Sequence, residues 1–178
     1  LTSDTLRYNT ETKVANIVGP SDILSQENHI YSELGFYDTY HGQAQLLDRS
    51  VLTNGAKRMT GDSLFYDRNR GFGEAFGAVE LLDTAGRNML TGEYCHYNQL
   101  TGYAFATDKA MAVDFSQGDS LFIHADTLQL FTFHMGTDSV SREARAFHKV
   151  RIYRTDVQGV CDSLVFASKD SCLTMYRD

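Results

Sequence analysis

A repeat of about 29 residues constrains this chain more than any other feature. Four tyrosines, Tyr8, Tyr37, Tyr66 and Tyr97, stand 29, 29 and 31 residues apart. Four positions before each comes an acid: Asp4, Glu33, Asp62 and Glu93. Five positions after come Lys13, Gly42, Gly71 and Gly102. Seven after come Ala15, Ala44, Gly73 and Ala104. Eleven after come Gly19, Asp48, Gly77 and Asp108. Two looser units follow, at Asp126-Thr127-Leu128-Gln129-Leu130 and Asp162-Ser163-Leu164-Val165-Phe166. Anchor spacing there grows to 33 and then 36, the second increase placed in a polar, turn-like insertion around His134 to Arg142. Self-similarity at such a period marks units that bury their apolar faces against one another.

Each column has a physical reading. The acid-led pentads alternate, so Leu6 with Tyr8 and Leu64 with Tyr66 share one face of a strand. Asp67 to Gly71 and Asn98 to Gly102 are turn material, with a glycine free to take positive φ. The small column marks a close backbone approach. The Gly or Asp column breaks the following strand with a bend or bulge. A second alternating piece then begins, as in Val79-Glu80-Leu81 and Ala110 to Asp114. Each unit therefore reads as two to three short strands. The best helical candidate is Ser141 to His148, two turns at most. The class is all-β: an open, twisted stack of short antiparallel strands, solenoid-like, built from repeats of about 30 residues.

Residues 1–178 form a single repeat domain, large enough for a sizeable core. The formal charge of −7 argues against nucleic acid, whose backbone calls for clustered positive charge. No apolar run nears the roughly 20 residues of a membrane-spanning helix. The first 30 residues lack the order of a signal peptide, and the chain starts at Leu1 rather than Met, which reads as a trimmed piece. Neither end looks like a cap. The terminal strands, the last placed at Ser171 to Tyr176 just before Asp178, are expected to pair with a neighbouring domain or another copy.

Chemical motifs are weak. Gly71-Phe72-Gly73-Glu74-Ala75-Phe76-Gly77 approaches a dinucleotide fingerprint, but its third glycine is one position late and no helix follows. The acids form a ladder that could bind cations or pair for glycoside hydrolysis. The favoured account is that each sits at a strand start and accepts turn hydrogen bonds. The six histidines make no spaced ligand pair, and Cys95 and His96, adjacent in sequence, point to opposite faces. Cys95, Cys161 and Cys172 read as free, semi-buried thiols, although Cys161 and Cys172 could meet across a hairpin. No cofactor, metal or catalytic residue is expected. The 11 Phe and 10 Tyr are expected to point into one interior, either as packed core or as the lining of an apolar groove.

The run from Gly61-Asp62-Ser63-Leu64-Phe65-Tyr66-Asp67 through Gly71, Ala75 and Gly77-Ala78-Val79-Glu80-Leu81 to Thr91-Gly92-Glu93 resembles the OstA-like repeat. That repeat belongs to the LptA-type lipopolysaccharide-transport family (LptA, LptC and the N-terminal domain of LptD). The resemblance covers most of residues 1–133 and continues weakly to 178. It implies an open β-jelly roll whose apolar interior carries acyl chains of lipopolysaccharide or a similar amphiphile. It also implies edge-to-edge joining, a periplasmic place associated with the outer membrane, and no enzymatic activity. The lining expected on the repeat columns is Tyr8, Tyr66, Val79, Leu81, Tyr97, Val113 and Leu130. Two readings of other classes stand beside it: a carbohydrate-active enzyme on a parallel β-helix, and a purely structural repeat module.

Overall fold

The computed structural model describes residues 2–24, 28–116, 118–170 and 172–177. Leu1, Ser171 and Asp178, named above for the chain ends, lie outside the described residues. Thirteen strands form one sheet: β1 (Thr2–Ser3), β2 (Leu6–Asn9), β3 (Val14–Leu24), β4 (Asn28–Asp38), β5 (Gln43–Asn54), β6 (Lys57–Asp67), β7 (Phe72–Asp83), β8 (Asn88–Asn98), β9 (Tyr103–Asp114), β10 (Leu121–Phe133), β11 (Ser141–Arg154), β12 (Val157–Ala167) and β13 (Cys172–Tyr176). From β3 onward each strand pairs antiparallel with the next, while β1 and β2 both pair with β3. The parallel β-helix is therefore excluded as the fold. The open antiparallel stack of the sequence reading is the one observed.

A unit is two long strands rather than two to three short ones. The reason lies at the Gly/Asp column. Gly19, Asp48, Gly77 and Asp108 all take positive φ, at 128°, 69°, 75° and 58°. There the strand bulges but does not end. Two residues, such as Asp48-Arg49, stand where the neighbour offers one, and the register slips by one on both sides. His148 and Lys149 repeat this in β11, with φ of 62° and 53°. That bulge falls in the segment read from sequence as a helix. Ser141 to His148 is strand, because its Ala144, Ala146 and Phe147 complete cross-strand rows with β10 and β12.

Each long strand is bent at its bulge into two arms, and the arms face one another. Lys57, at the start of β6, lies 4.5 Å from the ring centroid of Tyr97, near the end of β8. Core residues of both arms form one cluster. On one arm runs the row Tyr8–Ala15–Tyr37–Ala44–Tyr66–Gly73–Tyr97–Ala104–Leu130–Ala144–Phe166. The anchor and small columns are thus direct cross-strand partners, large against small. The other arm carries Ile23–Ile30–Leu52–Met59–Leu81–Leu90–Ala112–Ile123–Ile152. Between them, at the bend, the row is small: Ser21, Ser32, Ser50, Gly61, Val79, Gly92, Ala110 and Ala125. A Cβ on Gly92 would stand 2.8 Å from the Thr107 carbonyl oxygen, so the closeness of the backbones dictates the small residue.

The turn column behaves as expected. Lys13, Gly42, Gly71 and Gly102 all have positive φ, near 60–70° or just below. The residue after each anchor, Asn9, Asp38, Asp67 or Asn98, accepts two backbone N–H groups of its turn through its side chain. Successive turns are stitched by backbone bonds, as from Arg68 N–H to Gly42 O at 2.9 Å. The insertion is located too. β10 and β11 are the longest strands, and the loop between them spans 134–140.

Candidate functional site

The mouth between the arms carries a cleft of about 100 Å³. Leu130, Ala144 and Phe166 line it from one arm, and Leu81, Leu90, Ala112 and Ile123 from the other. Tyr97 and Lys57 face each other across it. A smaller cleft of about 40 Å³ continues along the seam past Met59, Tyr66 and Leu81. Behind both, the interior is filled: Leu46, Leu64, Leu128 and Leu164 are fully buried.

Of the expected lining, Leu81, Tyr97, Val113 and Leu130 border the main cleft. Tyr66 borders the smaller one together with Leu81 and Tyr97. Val113 pairs with Met89 and Phe122, one residue off the interior row. Val79 sits at the bend, buried and away from both clefts. Tyr8 lies at the sheet's first edge, its hydroxyl 3.4 Å from that of Thr39. The bend and the edge are invisible to a column count, which places all seven on one face.

Charge rings the mouth. Lys57 Nζ lies 3.3 Å from Asp83 Oδ2. Arg142, Asp114 and Glu143 complete the rim. Sequence reasoning passed over these residues, because each stands at a strand end outside the repeat columns.

The acid column lies in mid-strand at the bulges, which corrects its placement at strand starts. Each acid is the single residue opposite a two-residue bulge, and the bulge supplies its partner. Arg49 Nη1 reaches Asp62 at 3.2 Å, Lys109 Nζ reaches Glu93 at 3.2 Å, and Lys149 Nζ reaches Asp126 at 3.1 Å. The N–H of Ala78 and the Lys109 ammonium hold Glu93 below its ordinary pKa. The signal was the position twelve after each anchor, where Arg49 and Lys109 recur. No group of three or more His, Cys, Asp or Glu gathers to hold a metal among the described residues.

The aromatic residues correct a second expectation. No phenylalanine belongs to the buried core, which is aliphatic and alanine-rich. Phe72, Phe76, Tyr94, His96, Tyr103, Phe105, Phe131 and Phe133 instead lie on the outer face of β7 to β10. His96 stacks on Phe105 at 5.1 Å, and Tyr103 packs on Phe131 at 5.0 Å. Burial in this layer lowers the His96 pKa against the pull of Glu74, so the ring stays neutral at neutral pH. Cys95, its neighbour, points inward, and burial pushes its thiol up to about 12, which keeps it protonated. Cys161 is also buried and Cys172 exposed; all three are free. Cys172 stands opposite Ala167 and Cys161 opposite Val150, so the hairpin does not bring the two sulfurs together.

No family model and no curated protein matches the sequence. Among solved structures, the chain is similar to LptH from Pseudomonas aeruginosa, described as the LptA-homologous periplasmic component of the conserved lipopolysaccharide transport device. The match has a TM-score of 0.54 and 14% identity, over 68% of this chain and 82% of that one. At that identity the likeness is one of fold. The fold is the LptA-type β-jelly roll.

Proposed function

We propose that this domain holds the acyl chains of lipopolysaccharide or a similar amphiphile between its two arms. It would do so as a non-enzymatic bridging element of the periplasm, with no cofactor. One observation carries the reading. In a fold shared with a periplasmic lipopolysaccharide-transport component, the only gap of size among the described residues lies between the free arm ends and is lined by apolar groups from both. Pockets that enclose drug-sized ligands measure roughly 300–1,000 Å³. A cleft of about 100 Å³ therefore admits part of a chain, and fuller loading parts the arms at the mouth. The arms are joined along the bend by continuous backbone, so the mouth is where separation disrupts least.

Edge-to-edge joining has its own support. The interior rows are covered within the sheet and bare at its ends. Tyr66 is 8% exposed but Tyr8, in the same row, is 46%; Leu164 is 0% exposed but Met175, beside it, is 38%. Another strand added at either edge would cover them.

Titration of the folded domain with lipopolysaccharide tests the carrier role, and saturable binding is expected. Leu81→Asp should weaken it, since a desolvated carboxylate is costly. Leu130→Gln, at a half-buried site, serves where the first variant fails to fold. The filled interior behind the clefts favours the structural-module reading instead. Absence of saturable binding by the folded wild type would establish that one.

A further inference from the structure

The acyl reading leaves the head group open, and the rim of the main cleft bears on it. Five charged side chains line that cleft: Lys57, Asp83, Asp114, Arg142 and Glu143. Four of them have partners. Lys57 pairs with Asp83 at 3.3 Å, and Asp83 also accepts the Gly86 N–H at 2.7 Å. Glu143 takes Arg145 Nε at 2.6 Å. Asp114 accepts the Ser116 N–H at 2.7 Å. Arg142 differs. Its backbone is pinned, N–H to Ser168 Oγ at 2.7 Å and carbonyl to Ser168 N–H at 2.8 Å. Its exposed guanidinium has no ion-pair partner among the described residues. It extends from β11 toward the β7–β8 turn, where Nη2 lies 2.9 Å from the place a Cβ on Gly86 would take. One uncommitted cation thus stands at the mouth among three carboxylates.

We infer that the cleft selects an amphiphile whose head presents a single anionic group, a carboxylate or one phosphate, seated on Arg142, and disfavours heads with two or more phosphates. The inference rests on the acyl reading. A guanidinium grips one carboxylate or phosphate with two parallel N–H bonds. A second phosphate on the same head would fall near Asp83, Asp114 or Glu143, with no free cation to meet it. The chain's formal charge of −7 adds a repelling field. Arg145 and Lys57 would have to abandon existing pairs to help, which exposes the carboxylates they now cover.

The test compares four probes with the intact chain, in chelator to remove bridging cations: a monoacylglycerol, a long-chain fatty acid, monophosphoryl lipid A and diphosphoryl lipid A. Displacement of a fluorescent fatty acid gives the affinities. Monophosphoryl lipid A should bind on the order of tenfold more tightly than diphosphoryl at low ionic strength, and high salt should shrink the gap. Arg142→Gln should lower fatty-acid and monophosphoryl affinity several-fold, toward that of the uncharged monoacylglycerol, which it leaves alone. Arg151→Gln, remote from the cleft, should change nothing. Equal or tighter binding of diphosphoryl lipid A, or indifference to Arg142→Gln, overturns the head-group inference while the acyl reading stands. If no probe binds, the monoacylglycerol included, the acyl reading fails and this inference with it.

Discussion

Asp67 shows how much one side chain carries in this fold. It is nearly fully buried and receives the Gln43 amide at 3.0 Å and the N–H groups of Asn69 and Arg70 at 3.0 and 3.1 Å. Burial works against its charge, but these bonds and the Arg70 cation outweigh burial and hold its pKa below the ordinary value. Asp67→Ala leaves those donors without their acceptor and should cost about 2 kcal/mol, or about 5 °C in Tm. Asp67→Asn should cost less, because Asn9 and Asn98 hold the equivalent turns. The pH dependence follows from the lowered pKa. Stability from Asp67 is present above the unfolded value of about 3.9 and is lost as pH falls through the lower folded value. Melting curves of wild type and Asp67→Ala should therefore differ most near neutrality and converge below about pH 4. The sequence showed the turn, since Asp67-Arg68-Asn69-Arg70-Gly71 is turn chemistry. It could not show that Gln43, 24 residues away, completes the site, because that contact exists only once the strands are in register.

At the scale of the element, the bulge is the working unit. The Gly/Asp column was legible as a bend, because those residue types tolerate positive φ. What sequence alone missed was continuity: a bulge and a strand end use the same residues, and only the pairing beyond distinguishes them. That ambiguity also turned β11 into a helical candidate. Gly77 separates the two requirements of the column. Its φ is +75°, and a Cβ there would stand 2.5 Å from Asp62 Oδ2. Gly77→Ala should destabilise by about 2 kcal/mol or more, combining left-handed strain with that clash. Asp108→Gly, at the same column with a φ of 58°, should be close to neutral in chemical denaturation, because glycine takes this conformation freely. The Arg49–Asp62 pair is exposed and worth less than about 1 kcal/mol. Arg49→Ala should accordingly show a small loss of stability that fades in high salt.

Across the whole molecule, the repeat revealed a stack but not which way its faces turn. Inward and outward positions alternate on every strand, and each bulge shifts the phase, so a column count cannot say which side of the sheet an aromatic occupies. Large rings went to the outer face because the two arms approach too closely to seat them; the facing rows are filled by Leu, Ile and Ala. The edges are where this architecture meets a partner. Rows that are covered inside the sheet end bare at Tyr8 and Met175, beside unpaired strand backbone. Such an edge recruits another strand, and a first edge that accepts a last edge does not close on itself. Sedimentation over a wide concentration range should therefore show mass growing with concentration rather than one fixed oligomer. Tyr8→Lys and Met175→Lys place a charge on the terminal rows at positions already half exposed. Each should suppress that growth while leaving the melting temperature within about 2 °C, since surface changes of this kind cost little. A species that stays monomeric at the highest concentration, in wild type and variants alike, would show that the edges are protected in solution and that the bare rows recruit nothing.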